Sequence, residues 1–315
     1  MAKKVNTQPL VTIIGPTAGG KSRLAVQLAK QFRGEVISAD SRQVYRGLDI
    51  GSGKITTAEQ RGIPHHLLNI ANPQRTFTVA QYQKLALGKL QDIWRRGKLP
   101  ILCGGTGFYI EAVIKGTVLP QTPPNIKVRA RLEKKSTAEL VRLLRQRDPA
   151  RARAIDTHNR HRLVRALEIV AAAGKVPTVP GQPPTTNTLI IGLKPPPQKL
   201  RQLINHRLRS RLRHGLVNEV RQLHHGGLSW AKLGALGLEY RYVANFLQGK
   251  ITRVELEQVL NTKIWQYTRR QMTWFKRMPG IHWVTSTAAA ERQVGRFLTE
   301  NKNPSFASRK TRVVV

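Results

Sequence analysis

An α/β fold, a parallel-sheet core carrying a P-loop with a helical insertion and C-terminal helices, is what this 315-residue sequence predicts. Three observations carry the prediction. Short apolar, β-branched runs alternate with helical apolar spacing over residues 1–119. A glycine-rich loop sits at the first strand-to-helix junction. The alternation then lapses over residues 120–187 before a strand-like run returns.

"LVTII" (10–14) reads as a buried strand because both of its faces are apolar. The loop "GPTAGGKS" follows, and Leu24, Leu28 and Phe32 then recur at helical spacing. "GEVISAD" (34–40) is a second strand, entered through Gly34 and ending in Asp40. Residues 78–97 form a helix with Tyr82, Leu85, Leu90 and Ile93 near one face, stopped by Gly97. "LPILCGG" (99–105) is a third buried strand. The proline-rich "VLPQTPPN" (118–125) ends this half, and an Arg-rich helical stretch runs to about residue 173. "GKVPTVPGQPPTTN" (174–187) closes that stretch, and "TLIIGL" (188–193) returns to the sheet.

The expected division is therefore a core of residues 1–119 and 188–300, an insertion at 120–187, and an aperiodic, disordered basic tail at 301–315. Within the second part of the core, Leu203, Leu208, Leu212, Leu216, Val220 and Leu223 follow a helical period. Arg207, Arg209, Arg211 and Arg213 are expected on its polar surface, and a long helix covers about 252–277.

Charge narrows the partners. The chain has 54 Lys and Arg against 17 Asp and Glu, a formal net charge of +37. The excess is spread as +11, +9 and +17 over residues 1–119, 120–186 and 187–315, so it belongs to the folded surface and points to nucleic acid. A single cysteine, Cys103, excludes an intrachain disulfide and a cysteine-rich zinc site. No apolar run approaches the ~20 residues that span a bilayer, and the first residues do not read as a signal peptide. The expectation is a cytoplasmic protein without a membrane partner, monomeric because no apolar heptad seam is exposed.

Gly15, Gly20, Lys21 and Ser22 fit G-x-x-x-x-G-K-[ST]. Glycines let backbone N–H groups curl around a phosphate, while the following helix offers its positive end. Lys21 adds a point charge, and the Ser22 hydroxyl can ligate Mg²⁺. ATP-hydrolysing P-loop enzymes place an acid after a later strand, but here that strand ends in Cys103-Gly104-Gly105-Thr106. The ATPase reading weakens, and a small-molecule kinase stays open. Asp40, where α/β sheets place their sites, is a metal helper, a general base or a cap for the turn at Ser41. Spacing alone does not choose between them.

The blocks "GPTAGGKS", "ISADSRQVYRGLDIGSGK", "PHHLLNI", "FTVAQY", "PILCGGTGFYI", "RHRLVRALEIV", "GLVNEVRQL" and "YTRRQMTWFKR" occur in an order that resembles the tRNA dimethylallyltransferases, over residues 9–285. That resemblance implies transfer of a dimethylallyl group from dimethylallyl diphosphate to N6 of an adenine in the tRNA anticodon stem-loop. Carried onto this sequence, it implies that Gly15, Thr17, Ala18, Gly19, Gly20, Lys21 and Ser22 hold the diphosphate with Arg221, Ser22 also serving Mg²⁺. It implies Asp40 as the base for the N6 proton and Thr106 beside the reacting groups. Asp40, Ser41, Arg42, Gln43 and Thr106 would meet the target adenine and its neighbours. Arg129, Arg162, Arg165, Arg270, Gln271 and Thr273 would meet the rest of the RNA. The chain departs from the family pattern at "GLEYR", where G-Y-[KR] is common, and at Gly19, where serine is common. Trp265, Trp274 and Trp283 read as core or as base-stacking surfaces, and His65 and His66 as structural. A small-molecule kinase and a non-catalytic RNA-binding protein are the competing readings.

Overall fold

Six parallel strands in the order β3-β2-β4-β1-β5-β6 form the sheet of the computed structural model, which describes residues 8–116, 122, 125–176 and 187–301. The strands are β1 (Pro9–Ile14), β2 (Gly34–Ser38), β3 (His65–His66), β4 (Leu99–Cys103), β5 (Asn187–Leu193) and β6 (Ile281–Val284). In β1, alternate residues feed opposite cores: Leu10 and Ile14 pack with Leu102 and Tyr82, Val11 and Ile13 with Leu24, Leu28 and Phe32. This two-sided burial is why the strands read as unbroken apolar runs.

Helices α1 (Lys21–Gln31), α2 (Thr57–Gln60), α3 (Val79–Arg95) and α4 (Gly107–Ile114) belong to the first half. α3 buries Tyr82, Ala86, Leu90 and Ile93; Leu85, expected on that face, is 43% exposed and Ala86 takes its place. After β5 come α9 (Pro197–Arg213), α10 (Leu216–His225), α11 (Trp230–Leu236), α12 (Leu238–Leu247), α13 (Arg253–Phe275) and α14 (Thr287–Glu300). The leucine run at 203–223 is split in two by Gly215, whose φ of 100° breaks the helix between α9 and α10. β3, β6 and α14 were not legible as elements: β3 has only two residues, and β6 exposes His282 and Trp283.

Contacts divide the chain into two compact units, Met1–Gly116 with Pro183–Val315, and Thr117–Gln182. The second contains α5 (Ile126–Glu133), α6 (Thr137–Arg147), α7 (Pro149–Ala154) and α8 (Arg160–Ala173) around Leu140, Leu144, Leu163 and Leu167. Apart from Asn301, which caps the end of α14, the expected tail at 301–315 lies outside the described residues, as do most of the two proline-rich stretches.

Candidate active site

The loop between β1 and α1 takes the form its glycines permit. Ala18 and Gly20 have φ of 62° and 87°, and the Pro16 carbonyl accepts from the Gly19 N–H (3.1 Å) and from Lys21 Nζ (2.8 Å). No side chain caps α1, so its first N–H groups remain available to an anion. Burial pulls the Lys21 ammonium down to about 8, against the attraction of Asp40.

The end of β2 is tied just as closely. Tyr82 donates its hydroxyl to the Ser38 carbonyl (3.0 Å), and Ala39 N–H donates to Cys103 (2.8 Å). A Cβ on Gly104 would lie 2.1 Å from the Ala39 carbonyl oxygen, so only glycine lets the two loops touch. Asp40 then uses Oδ1 to accept the Arg42 N–H (2.8 Å). Among the described residues Oδ2 has no hydrogen-bond partner. The cap and the base are thus compatible, one oxygen for each.

Two cavities meet at Thr17, Asp40 and Ser52. The first, about 250 Å³, is walled by the loop from Thr17 to Arg23, Gln43, Gly53, Cys103, Gly104 and Arg207. The second, about 270 Å³, is walled by Ser41, Arg42, Arg211, Leu238, Tyr240, Tyr267 and Arg270. The first is a polyphosphate-sized cradle with three cations, Lys21, Arg23 and Arg207. The second is flatter in chemistry, with tyrosines and arginines suited to a stacked base and its phosphates.

Several expected roles change here. Arg207 and Arg211, assigned to the polar surface, point inward: Arg211 is 9% exposed, and burial with the neighbouring Arg211 pulls Arg207 down to about 10. They share the side of α9 that carries the buried Leu200, Ile204 and Leu208, a signal available from helical spacing. Arg221 lies exposed on α10 and lines neither cavity, whereas Arg23 and the partly buried Arg207 line the cradle. Gln271 is 5% exposed; Oε1 accepts the Thr17 N–H (2.8 Å) and Nε2 donates to the Gly105 carbonyl (2.9 Å). It braces the cradle from α13. Thr106 lines neither cavity; its Oγ1 accepts the Ser41 N–H (3.0 Å) and so shapes the Asp40 turn.

Arg129 and Arg165 also have partners within the protein. Glu168, 1% exposed, accepts from Arg129 Nε (3.2 Å) and Nη2 (2.7 Å), with Arg165 Nη1 at 3.6 Å. Both guanidiniums balance a buried carboxylate, a structural duty. Arg162 is exposed on α8, Thr273 donates its hydroxyl to Arg269, and Arg270 lines the second cavity with Ser41 and Arg42. Gln43 spends its amide on Ser38 and Gly53 (3.0 and 3.2 Å). The departure at "GLEYR" places Glu239 against Arg211 (3.1 Å) and Tyr240 between Glu219 and Ser52. Trp265 carries the Arg201 guanidinium at 4.3 Å, Trp274 packs on Gly107, and neither they nor Trp283 line the cavities. His66 meets Glu35 at 2.7 Å, a structural pair.

Among the described residues no three His, Cys, Asp or Glu side chains group to hold a metal. The carboxylates lining the first cavity are Asp40 and a Glu59 already engaged in capping Thr56, and its hydroxyls are those of Thr17, Ser22 and Ser52. That sparse set fits Mg²⁺, which keeps waters and takes ligands from a bound polyphosphate.

Replacing Gln271 by Leu strands the Thr17 N–H and the Gly105 carbonyl without changing side-chain volume greatly. The expected loss is about 1–3 kcal/mol, read as a lower midpoint in denaturant at constant slope. An unchanged midpoint would show that the brace contributes nothing.

Fold and site together define a P-loop-type α/β protein whose polyphosphate cradle adjoins a second, base-sized cavity across one carboxylate. The family model for IPP transferase matches residues 43–278, and the chain belongs to that family. It is 43% identical over 279 residues to tRNA dimethylallyltransferase 2 of Trichlorobacter lovleyi, covering 87% of this chain and 91% of that one. It is 42% identical over 279 residues to tRNA dimethylallyltransferase of Roseiflexus, covering 87% and 92%. Among solved structures, the full-length tRNA isopentenylpyrophosphate transferase of Bacillus halodurans superposes with a TM-score of 0.70 at 34% identity, covering 95% of this chain and 98% of that one. A eukaryotic dimethylallyltransferase acting on tRNA gives 0.76 at 25% identity, covering 96% and 81%.

Proposed function

We propose that this protein transfers a dimethylallyl group from dimethylallyl diphosphate to N6 of adenine 37 in the tRNA anticodon loop, releasing diphosphate. The observation that carries this reading is the meeting of the two cavities at Asp40: a cationic cradle on one side, an arginine- and tyrosine-lined chamber on the other. The relatives named for this activity support it.

The donor's diphosphate lies on the N–H groups from Thr17 to Ser22, with Lys21 and Arg207 on its charge. The Ser22 hydroxyl would hold a Mg²⁺, which when bound would add to the neutralisation of the leaving diphosphate. Adenine enters the second chamber between Arg42, Tyr267 and Arg270. Its N6 attacks the allylic carbon, the carbon–oxygen bond breaks toward diphosphate, and Asp40 Oδ2 accepts the N6 proton. An exocyclic amine is a weak nucleophile, so removing its proton and stabilising the leaving group are what the site must supply. The adenine must leave its stack to reach the chamber, at a cost of a few kcal/mol. Contacts between a chain of net charge +37 and the RNA backbone offset it. No helix among the described residues is long and apolar enough to cross a membrane. In this reading the enzyme acts as a monomer on cytoplasmic tRNA.

Lys21 sets a pH limit. Its ammonium carries the charge below about 8 and loses it above, so kcat/KM for the donor falls tenfold per unit once pH exceeds about 8. Bound diphosphate holds the proton, so kcat at saturating donor declines only at higher pH. Initial rates from pH 6.5 to 9.5 at low and high donor test this; parallel profiles would contradict it.

The function itself is tested by incubating labelled dimethylallyl diphosphate with unmodified tRNA carrying adenines at positions 36 to 38. Label on N6 of adenine 37 is the expected result. No label with folded, RNA-binding protein would favour a non-catalytic RNA-binding protein, and consumption of ATP in its place would send the assignment to a kinase.

A further inference from the structure

The segment from Asp49 to Gly53 has no helix or strand of its own, yet both inward-facing arginines rest on it. Arg207 Nη2 donates to the Gly53 carbonyl (3.1 Å) and Arg211 Nη1 to the Gly51 carbonyl (3.3 Å). Packing is so close that a Cβ on Gly53 would lie 1.7 Å from Arg211 Nη2 and 2.4 Å from Arg207 Nη2. The orientation of these guanidiniums therefore depends on where the loop is held.

Gln43 Nε2 donates to the Gly53 carbonyl (3.2 Å) and Lys54 Nζ to Asp49 Oδ1 (2.5 Å), but one side chain gathers most of the loop's N–H groups. Glu219, on α10, accepts the N–H groups of Asp49 (3.0 Å), Ile50 (2.6 Å) and Gly51 (2.9 Å). It also accepts the Tyr240 hydroxyl (3.0 Å), whose oxygen in turn accepts the Ser52 N–H (3.1 Å). Four donors converge on one carboxylate, and charge-assisted bonds of this kind are the strong ones. Glu219 lines neither cavity, so it touches no substrate directly.

We propose that Glu219 is a positioning residue for donor binding: it fixes the 49–53 loop so that Arg207 presents its guanidinium to the diphosphate. This rests on the reading that the diphosphate occupies the first cavity. A glutamine at 219 keeps the size but offers one oxygen in place of two and turns an NH₂ toward N–H donors. The loop loosens, Arg207 loses its carbonyl anchor, and Lys21 with the cradle N–H groups is left to hold the donor.

The test is a kinetic double-mutant cycle on the full chain with Glu219→Gln, Arg207→Ala and the pair, alongside Lys21→Ala. Glu219→Gln is expected to raise the donor KM about tenfold, as coupled neighbours do, and to change kcat much less. In the Arg207→Ala background it adds less than about twofold, because the group it positions is gone. Multiplying effects, or a fall in kcat with donor KM unchanged, would overturn the proposal. If Glu219→Gln does not fold, Tyr240→Phe, which removes one of the four donors, enters the same cycle with a smaller effect in the same direction. A Lys21→Ala enzyme with unaltered donor KM would instead contradict the placement of the diphosphate itself.

Discussion

Replacing Asp40 by Asn lowers the rate of prenyl transfer by about 10²–10⁴ while leaving donor and tRNA affinities close to those of the unaltered protein. The asparagine carbonyl still accepts the Arg42 N–H that Asp40 Oδ1 now accepts at 2.8 Å, so the turn at 40–42 survives. What is lost is the second oxygen, the one with no hydrogen-bond partner among the described residues. An amide cannot take the N6 proton there. Single-turnover rates at saturating donor and RNA isolate this step from binding. A rate within tenfold of the original, or a loss confined to affinity, would remove Asp40 from the chemistry. Asp40→Ala is the less informative variant because it destroys the cap as well as the base.

Arg207→Ala weakens donor binding by about 30- to 1,000-fold, whereas Arg221→Ala changes it by less than about twofold. The first figure corresponds to about 2–4 kcal/mol, the range for removing one member of a close, desolvated charge contact. Arg207 lines the cradle and is held by the Gly53 carbonyl, while Arg221 stands exposed on α10. Equilibrium titration with dimethylallyl diphosphate in the absence of RNA separates the two. Equal losses for both variants, or a larger one for Arg221, would return the role to the exposed residue.

The contrast between these arginines marks what the sequence could and could not disclose. The P-loop was legible because its chemistry is local: strand, glycines, Lys21 and Ser22 are contiguous, and the backbone they dictate is the binding device. Asp40 was legible by position, since it follows a strand that ends at Ser38 on the same edge of the sheet. Arg207 was hidden because α9 carries basic residues all around it, and only the phase relative to Ile204 and Leu208 tells which of them turn inward. Gln271 bonds Thr17 across 254 positions of sequence, a separation no local pattern reaches. In the insertion, the family resemblance assigned Arg129 and Arg165 to RNA contact but did not disclose the ion pairs they make within the protein. The deciding partner, Glu168, is an acid inside an otherwise apolar helix face, and a buried acid demands paired cations. That acid was the available clue. β3 and β6 escaped because short strands at a sheet edge carry too few residues for a period to register.

In the proposed reaction, donor and acceptor occupy separate cavities that meet at Asp40. A crystal structure of the full chain with an unreactive dimethylallyl thiodiphosphate, Mg²⁺ and an anticodon stem-loop tests it most directly. Diphosphate oxygens are expected on the N–H groups from Thr17 to Ser22 and on the Arg207 guanidinium. The flipped adenine is expected in the chamber of Tyr267 and Arg270, with N6 about 3 Å from Asp40. Diphosphate outside the P-loop, or an adenine whose N6 is out of reach of Asp40, would contradict it.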